Sequence, residues 1–422
     1  MPGPPAVDRI RQGSREGCRP AVVSPVRGPP SPGRLRLPAA GVSIESPFPL
    51  AHRRSGTTVG LLSTFPPTRC GLATFTEALG GALADDHGAG IRTVRVMDEL
   101  AVPGSTPGTS VVAELVAGDP VSTARAAAEL DSCDVAIIQH EYGIYGGPDG
   151  DEVIALMERL AVPAIVVLHT VLETPTPSQR LVLERVAALA DAVVVMTAVA
   201  AEILERRYDV DASRVVVIAH GVPVWNAAAR SAAAADPQII TWGLIGPGKG
   251  IEWGIRAMAD LRDAGVSAHY TVYGQTHPKV VAHAGEAYRE SLAELIAELR
   301  LEDRVVLDGR YLDPSQLAAA VADADAVLLP YDSRNQVTSG VLVEALAAGR
   351  RVVATEFPHA LELLGNGRGR TVAHEDPAAM AAALREALAD SAPAAAPAAL
   401  PWPAAAGLYL GLVERLRIEH AA

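Results

Sequence analysis

The chain has 422 residues, a net charge of −13, 49% hydrophobic and only 4% aromatic residues. That length exceeds one ordinary core and suits two domains, and the acidic balance argues against non-specific nucleic-acid binding as a main activity. No apolar run approaches the roughly 20 residues that span a bilayer, and the three scattered cysteines, Cys18, Cys70 and Cys133, form neither a disulfide framework nor a CxxC metal site; a reducing cytoplasm is the compartment that fits.

Residues 1–55 stand apart. They hold nine arginines against Asp8, Glu16 and Glu45, and 11 of the 32 prolines. Without sustained apolar periodicity they read as a disordered basic tail or an over-called start, with a targeting peptide as the alternative. From residue 56 apolar runs alternate with helix-like stretches. Strands are expected at 57–63, 91–97, 134–139, 163–169, 191–197 and 214–219. Helical spacing marks 71–86, 150–160, 177–190 and 198–207. Strand, helix, strand in succession implies right-handed crossovers and a parallel sheet.

The alternation pauses in the Ala-rich stretch 224–237, placing a domain boundary near 226. It restarts with strands at 238–245, 268–274, 303–308, 325–330, 351–355 and 370–373. Helices are expected near 250–264, 285–300, 314–323, 339–348, 359–365 and 376–390. A second Ala/Pro stretch, 391–406, leads to an amphipathic helix at 407–419, with Leu408, Leu412 and Leu416 on one face and Val413 beside it. The domains so defined are 56–226 and 227–395, with 396–422 as linker and last helix. The fold class is α/β, two doubly wound units facing a cleft. Ligands of such sheets sit beyond the carboxyl ends of the strands.

Six segments stand at such ends. In "STFPPTRCGLATFTEAL" (63–79) Gly71 opens a helix, where free amides favour anions; a plain strand-to-helix turn is the bland alternative. "QHEYGIYGGPDGDE" (139–152) brings His140, Glu141 and Tyr142 past a strand end. His140 suits a sugar hydroxyl, proton transfer or the capping of a sheet edge. Asp149, Asp151 and Glu152 read as caps of the next helix. "VVLHT" (166–170) ends in His169 on the same side, while Glu173 beyond it reads as solvated. "AHGVP" (219–223) reads equally as a cleft turn at Gly221 or as a hinge-side turn.

"WGLIGPGKGIEWGIRAM" (242–258) places Gly248 and Lys249 where a loop becomes a helix, an anion cradle of amides plus an ammonium. Only Lys249 and Lys279 among 36 basic residues are lysine, which suggests a need for a compact charge. The P-loop spacing is absent. "VYGQTHPKV" (272–280) offers Gly274 and Gln275 for base or ribose contact, or is a polar loop. The acid pairs at 209–211 and 323–325 read as turn residues, so no metal site is expected. Last, "SRNQVTSGVLVEALAAGRR" (333–351) runs from a polar loop into a helix that is apolar except for Glu344.

In this order the motifs resemble the GT-B glycosyltransferases, specifically the large retaining family 4 group, over about 56–390. "GLIGPGKG" is similar to the family's "GRLxxxKG", and the span Gln336–Glu344 is similar to its E-x7-E. The resemblance implies two Rossmann-like domains, with the last helix crossing back to the first. It implies retaining transfer of a hexose, mannose or glucose, from a nucleotide-diphosphate sugar such as GDP-mannose or UDP-glucose, a substrate rather than a cofactor. Lys249 would hold the diphosphate, with amides near Thr338, Ser339 and Gly340. Glu344 would bind the ribose, Gly71 would match the first domain's glycine loop, and His169 or His140 would stand near the sugar. Two positions depart from the pattern: Leu244 occupies the family's arginine position and Gln336 that of its first acid. These departures keep open a non-catalytic sugar- or nucleotide-binding partner protein; a sugar-nucleotide epimerase of the same fold is a separate alternative. The acceptor, whether sugar, glycan, lipid or small molecule, and the oligomeric state stay open.

Overall fold

Most of the apolar runs are buried strands in two parallel sheets. The computed structural model describes residues 56–97, 110–225, 236–365, 367–390 and 399–422. The basic tail and most of the expected domain boundary lie outside them. The first half contains β1 (Thr58–Ser63), α1 (Gly71–Asp85), β2 (Gly90–Met97), β3 (Val111–Val116), α2 (Pro120–Leu130), β4 (Val135–His140), α3 (Glu152–Met157), β5 (Ala164–Leu168), α4 (Pro177–Leu189), β6 (Ala192–Val195), α5 (Ala198–Arg207), β7 (Val215–Val217) and β8 (Gly221–Val222). The second contains β9 (Gln238–Trp242), α6 (Ile251–Asp263), β10 (His269–Tyr273), α7 (Pro278–Ala284), α8 (Ala287–Glu298), β11 (Val305–Asp308), α9 (Pro314–Asp323), β12 (Ala326–Leu329), α10 (Gly340–Ala347), β13 (Arg351–Thr355), α11 (Pro358–Leu364), β14 (Arg370–Val372), α12 (Pro377–Ala389), β15 (Leu400–Pro401) and α13 (Trp402–Ala421).

The first sheet runs β3-β2-β1-β4-β5-β6-β7 and the second β11-β10-β9-β12-β13-β14. Strand order reverses direction at β1/β4 and at β9/β12, and open parallel sheets bind ligands in the crevice that such a reversal leaves. Both sheets belong to one compact unit of the chain. The first is covered on two faces: Leu62, Val94, Ile138 and Val166 pack against α2 to α5, while Leu61, Ile137, Ile165 and Val167 pack against α1 and α13.

The last helix packs on the first domain, as expected, but starts at Trp402 rather than at 407. Pro403 sits in its first turn, where a missing N–H costs nothing, so the Ala/Pro stretch hid the start. Leu412 and Val413 are fully buried and Leu416 nearly so; each such side chain contributes about 1.5–3 kcal/mol. β15 pairs with β8 through Leu400↔Gly221 and Pro401↔Val222, just before this helix.

Five elements go beyond the sequence reading: β8 and β15, where a turn at Gly221 and an Ala/Pro linker were read, and β3, α2 and α7. β3 contains Glu114, which breaks its apolar run, and that carboxylate pairs with the buried Arg95 of β2. α2 follows, its N-terminus capped by Asp119 accepting from the Val121 amide. α7 forms within "THPKV", where His277 Nδ1 accepts the Lys279 amide. Two acid readings change as well: Asp151 precedes α3 without a side-chain cap bond, and Glu173, read as solvated, pairs with Arg206 and Arg207.

Candidate functional site

In the second domain, β9 ends at Trp242 and the chain turns at Gly243. A Cβ on the neighbouring Gly274 would lie 1.9 Å from the Gly243 carbonyl oxygen, so the two loops meet backbone to backbone. The Ile245 amide donates to Gln275 O at 2.9 Å, and the His277 amide to Ile245 O at 2.8 Å. Further along, Gly250 has φ +61°, and a Cβ there would lie 1.8 Å from Pro330 O. No other residue fits that approach. The Asp332 amide donates to Gly248 O at 3.0 Å. The glycine loop is thus pinned to the segment after β12.

Lys249 is half-buried between these anchors. Its Nζ stands 4.4 Å from the centre of the Tyr331 ring, a cation–π contact. Burial lowers its pKa to about 8. The Tyr331 hydroxyl, on a residue only 1% exposed, finds no hydrogen-bond partner at good geometry among the described residues.

The polar loop before α10 is built from its own atoms. Gln336 Nε2 donates to Thr338 O at 3.1 Å, and the Ser339 amide donates to Nδ1 of the buried His359 at 2.8 Å. Ser339 Oγ caps the helix by accepting from the Leu342 amide at 3.3 Å. The amides of Gly340 and Val341 have no partner among the described residues, nor has the buried Thr338 Oγ1. A helix start with free N–H groups attracts anions. One turn on, Glu344 Oε2 accepts from Trp242 Nε1 at 3.3 Å, and burial raises its pKa to about 7. Lys249, Thr338, Ser339, Gly340 and Glu344 are therefore gathered around the ends of β9 and β12. Arg334, an alternative cation, is exposed and pairs with Glu375 at 3.2 Å.

The first domain's edge is different. Gly71 opens α1, with open space where a side chain would be, and Cys70 Sγ caps that helix by accepting from the Ala73 amide. His169, past β5, bonds through Nε2 to Gln139 Oε1 at 2.7 Å. An amide oxygen only accepts, so Nε2 carries the proton and Nδ1 keeps its lone pair. Burial, then the neighbouring His220 and His140, holds its pKa near 3. His140 is fully buried, with no partner for either ring nitrogen among the described residues, and desolvation lowers its pKa to about 4. It does not reach the surface beside His169. Glu141 is occupied internally, accepting from Thr170 Oγ1 at 2.5 Å and from the Tyr142 amide at 3.1 Å.

The two edges are tied together. Arg69 donates to Gln275 Oε1 at 2.8 Å, so Gln275 is held across the cleft. Thr197 Oγ1 donates to Val337 O at 3.0 Å, and Glu362 accepts from the Ala198 and Val199 amides at 3.1 and 2.9 Å. Sequence reasoning did not single out Arg69, His220 or His359, because their partners come from distant segments. "AHGVP" was the one local signal for His220. Among the described residues no cluster of three or more His, Cys, Asp or Glu side chains is placed to hold a metal ion, and no helix is long and apolar enough to cross a membrane.

Comparison with known proteins matches both halves. The Glycosyltransferase Family 4 model covers residues 72–225 and the Glycosyl transferases group 1 model residues 236–390. The D-inositol 3-phosphate glycosyltransferase of a Nocardioides species is 32% identical over 257 residues, 54% of this chain and 55% of that protein. Its Streptomyces avermitilis counterpart is 29% identical over 256 residues, 54% of this chain and 53% of that protein. The matches thus span about half the length of these curated relatives. Among solved structures, sucrose-phosphate synthase from Thermosynechococcus elongatus has a TM-score of 0.68 at 18% identity, covering 87% of this chain and all of that one. Anabaena HepE, in complex with UDP and glucose, gives 0.63 at 15% over 87% of this chain and 98% of its own. These likenesses show the GT-B fold.

Proposed function

We propose, for a chain that belongs to the group 1, family 4 glycosyltransferases, that it moves a hexose with retention from a nucleotide-diphosphate sugar to an acceptor hydroxyl. The observation that carries this reading is the convergence of Lys249, the free amides of Gly340 and Val341, and Glu344 at the reversal point of the second sheet. Lys249 and the amides hold the diphosphate, and Glu344 accepts from the ribose hydroxyls. The sugar–phosphate bond breaks as negative charge grows on the leaving diphosphate, which these donors stabilise. The acceptor oxygen bonds the anomeric carbon from the same face, and its proton passes to the departing phosphate oxygen. His169 Nδ1, a lone pair on a neutral ring, accepts from a sugar hydroxyl. Gln336 shapes the loop beside the sugar through its bond to Thr338 O.

UDP-glucose and GDP-mannose are the leading donors, as substrates rather than bound cofactors, and the cytoplasm is where such donors and a protein with scattered free thiols meet. The test incubates the purified protein with each donor, with and without candidate acceptors. Nucleotide release and product anomeric configuration are followed by NMR. Acceptor-dependent release with retained configuration is expected. Binding without turnover would favour the partner-protein reading motivated by Leu244 and Gln336, and acceptor-independent change at the sugar would favour an epimerase.

A further inference from the structure

The His220 ring, between β7 and β8, faces the start of α10. Its Nδ1 lies 2.6 Å from Gly221 O. A carbonyl only accepts, so Nδ1 carries the proton and Nε2 bears a lone pair. The ring is held edge-on by Phe75 of α1, with centroids 5.1 Å apart, and tilted against Trp402 of α13 at 5.5 Å. A Cβ placed on Gly340 would meet Nε2 at 3.2 Å. Nε2 therefore lies against the first residue of the helix whose amides stay free. A lone pair at that place would repel an arriving phosphate, whereas an N–H would bind it.

Charge supports the same point. The glycine loop carries one cation, Lys249, and Leu244 stands five residues before it, where the pattern this loop resembles carries another. Of the other nearby cations, Arg334 pairs with Glu375 at the surface and Arg69 donates to Gln275 across the cleft. We propose that His220 takes up a proton at Nε2 when the diphosphate binds, and so becomes the second cation of the donor site, delivered by the segment that joins the two domains. This rests on the donor reading given above. The groups facing His220 from other elements are His169 beyond β5 and His359 on α11. His359 accepts the Ser339 amide through Nδ1 and His169 donates to Gln139, so both are fixed as neutral partners. The empty site favours the neutral form of His220, since burial lowers its pKa to about 4; an anion beside it raises the pKa again.

The consequence is a proton linkage. Donor affinity falls as pH rises, by up to about tenfold per unit above the free-state pKa until the bound-state pKa is passed. Isothermal calorimetry at pH 6.5 with UDP-glucose and with GDP-mannose, in buffers of different ionisation enthalpy, measures proton uptake. These sugar nucleotides do not titrate near that pH and Lys249 is already charged there, whereas Glu344, with a pKa of about 7, titrates in wild type and variant alike, so the His220 contribution is the difference between them. Greater proton uptake by the wild-type protein than by His220→Gln is expected. His220→Gln should remove that difference while retaining part of the affinity through its amide N–H, and His220→Ala should lose both, weakening binding by about tenfold or more. Imidazole nitrogen NMR of the wild type gives the same answer without a variant: the His220 signals should move from the Nδ1–H form to the doubly protonated form on donor addition. Donor binding with no such difference in uptake and an unchanged neutral ring would overturn the inference alone. Absence of donor binding altogether would overturn the donor reading and this inference with it.

Discussion

The edges of the two sheets face one cleft with opposite chemistry. The second domain's edge is made of backbone: glycines at 243, 250 and 274 let strands and loops touch, and two helix amides are left as donors. The first domain's edge is made of side chains already bonded to one another: His169 to Gln139, Glu141 to Thr170, His140 sealed beneath. One edge offers unsatisfied N–H groups and an ammonium, which suits an anion. The other offers a lone pair on a neutral ring, which suits a hydroxyl. A transferase that holds a diphosphate at one end of its donor and hydroxyls at the other needs that polarity.

The comparison is most exposed at Lys249. Lys249→Ala removes the glycine loop's only charge, and a charge-assisted hydrogen bond is worth about 1.5–3 kcal/mol. Loss of roughly ten- to 150-fold in kcat/KM is expected in steady-state assays, with a matching loss of donor affinity by calorimetry. The lysine's pKa of about 8 adds a pH signature. The charged form binds, so kcat/KM, which reports the free enzyme, should fall above about pH 8. Lys249→Arg, charged at any accessible pH, should remove that limb. A variant as active as wild type would end the assignment of the anion to this edge.

On the other edge, His169→Ala removes the lone pair proposed to accept from a sugar hydroxyl. About tenfold lower kcat is expected, with nucleotide affinity nearly unchanged, because an uncharged hydrogen bond is worth about 0.5–1.5 kcal/mol. Equal loss of nucleotide affinity would mean that the two edges are not divided as described. His169→Asn, which can still accept, should recover part of the rate.

How much of this division was legible beforehand depends on where each signal lay along the chain. Helices at 198–207 and 314–323 and the strand at 351–355 agree with the sequence reading to the residue, because periodicity and caps are local. So is the glycine-loop pattern around Lys249, since a close backbone approach demands glycine whatever the partner. β3 was missed because Glu114 interrupts its apolar run, and what makes that glutamate tolerable is Arg95, on another strand. The same applies in the site. His140 and His169 look alike in sequence, each at a strand end, yet one is sealed and the other open. His359 and His220 are fixed by Ser339 and by Phe75 with Trp402, contacts that no short window contains.

A subtler effect is expected at Glu344. Its pKa of about 7 lies above the usual glutamate value of about 4.3. Between these values the folded state holds a proton that the unfolded state has lost. Stability therefore falls as pH rises through that window, and the full penalty applies above about pH 7. Glu344→Gln should raise Tm at pH 8 but hardly at pH 5, while donor affinity drops a few-fold. Calorimetric melting at both pH values checks the sign. A Tm that falls at pH 8 would show that the carboxylate stabilises the fold through Trp242 rather than being held there at a cost.

The smallest change, Gln336→Glu, tests whether the loop tolerates the first acid of the E-x7-E pattern that it resembles. In this protein the amide Nε2 donates to Thr338 O, and a carboxylate has no hydrogen to give. The substitution places an acceptor against an acceptor two residues before the free amides of Gly340 and Val341, and adds a negative charge beside the anion proposed to bind them. The expected outcome is a donor KM raised a few-fold, with kcat changed less, because the loss falls on binding common to ground and transition states. Should kcat rise instead, the carboxylate would be stabilising positive charge on the transferring sugar, and the glutamine would be a brake on turnover rather than a part of the loop's own framework.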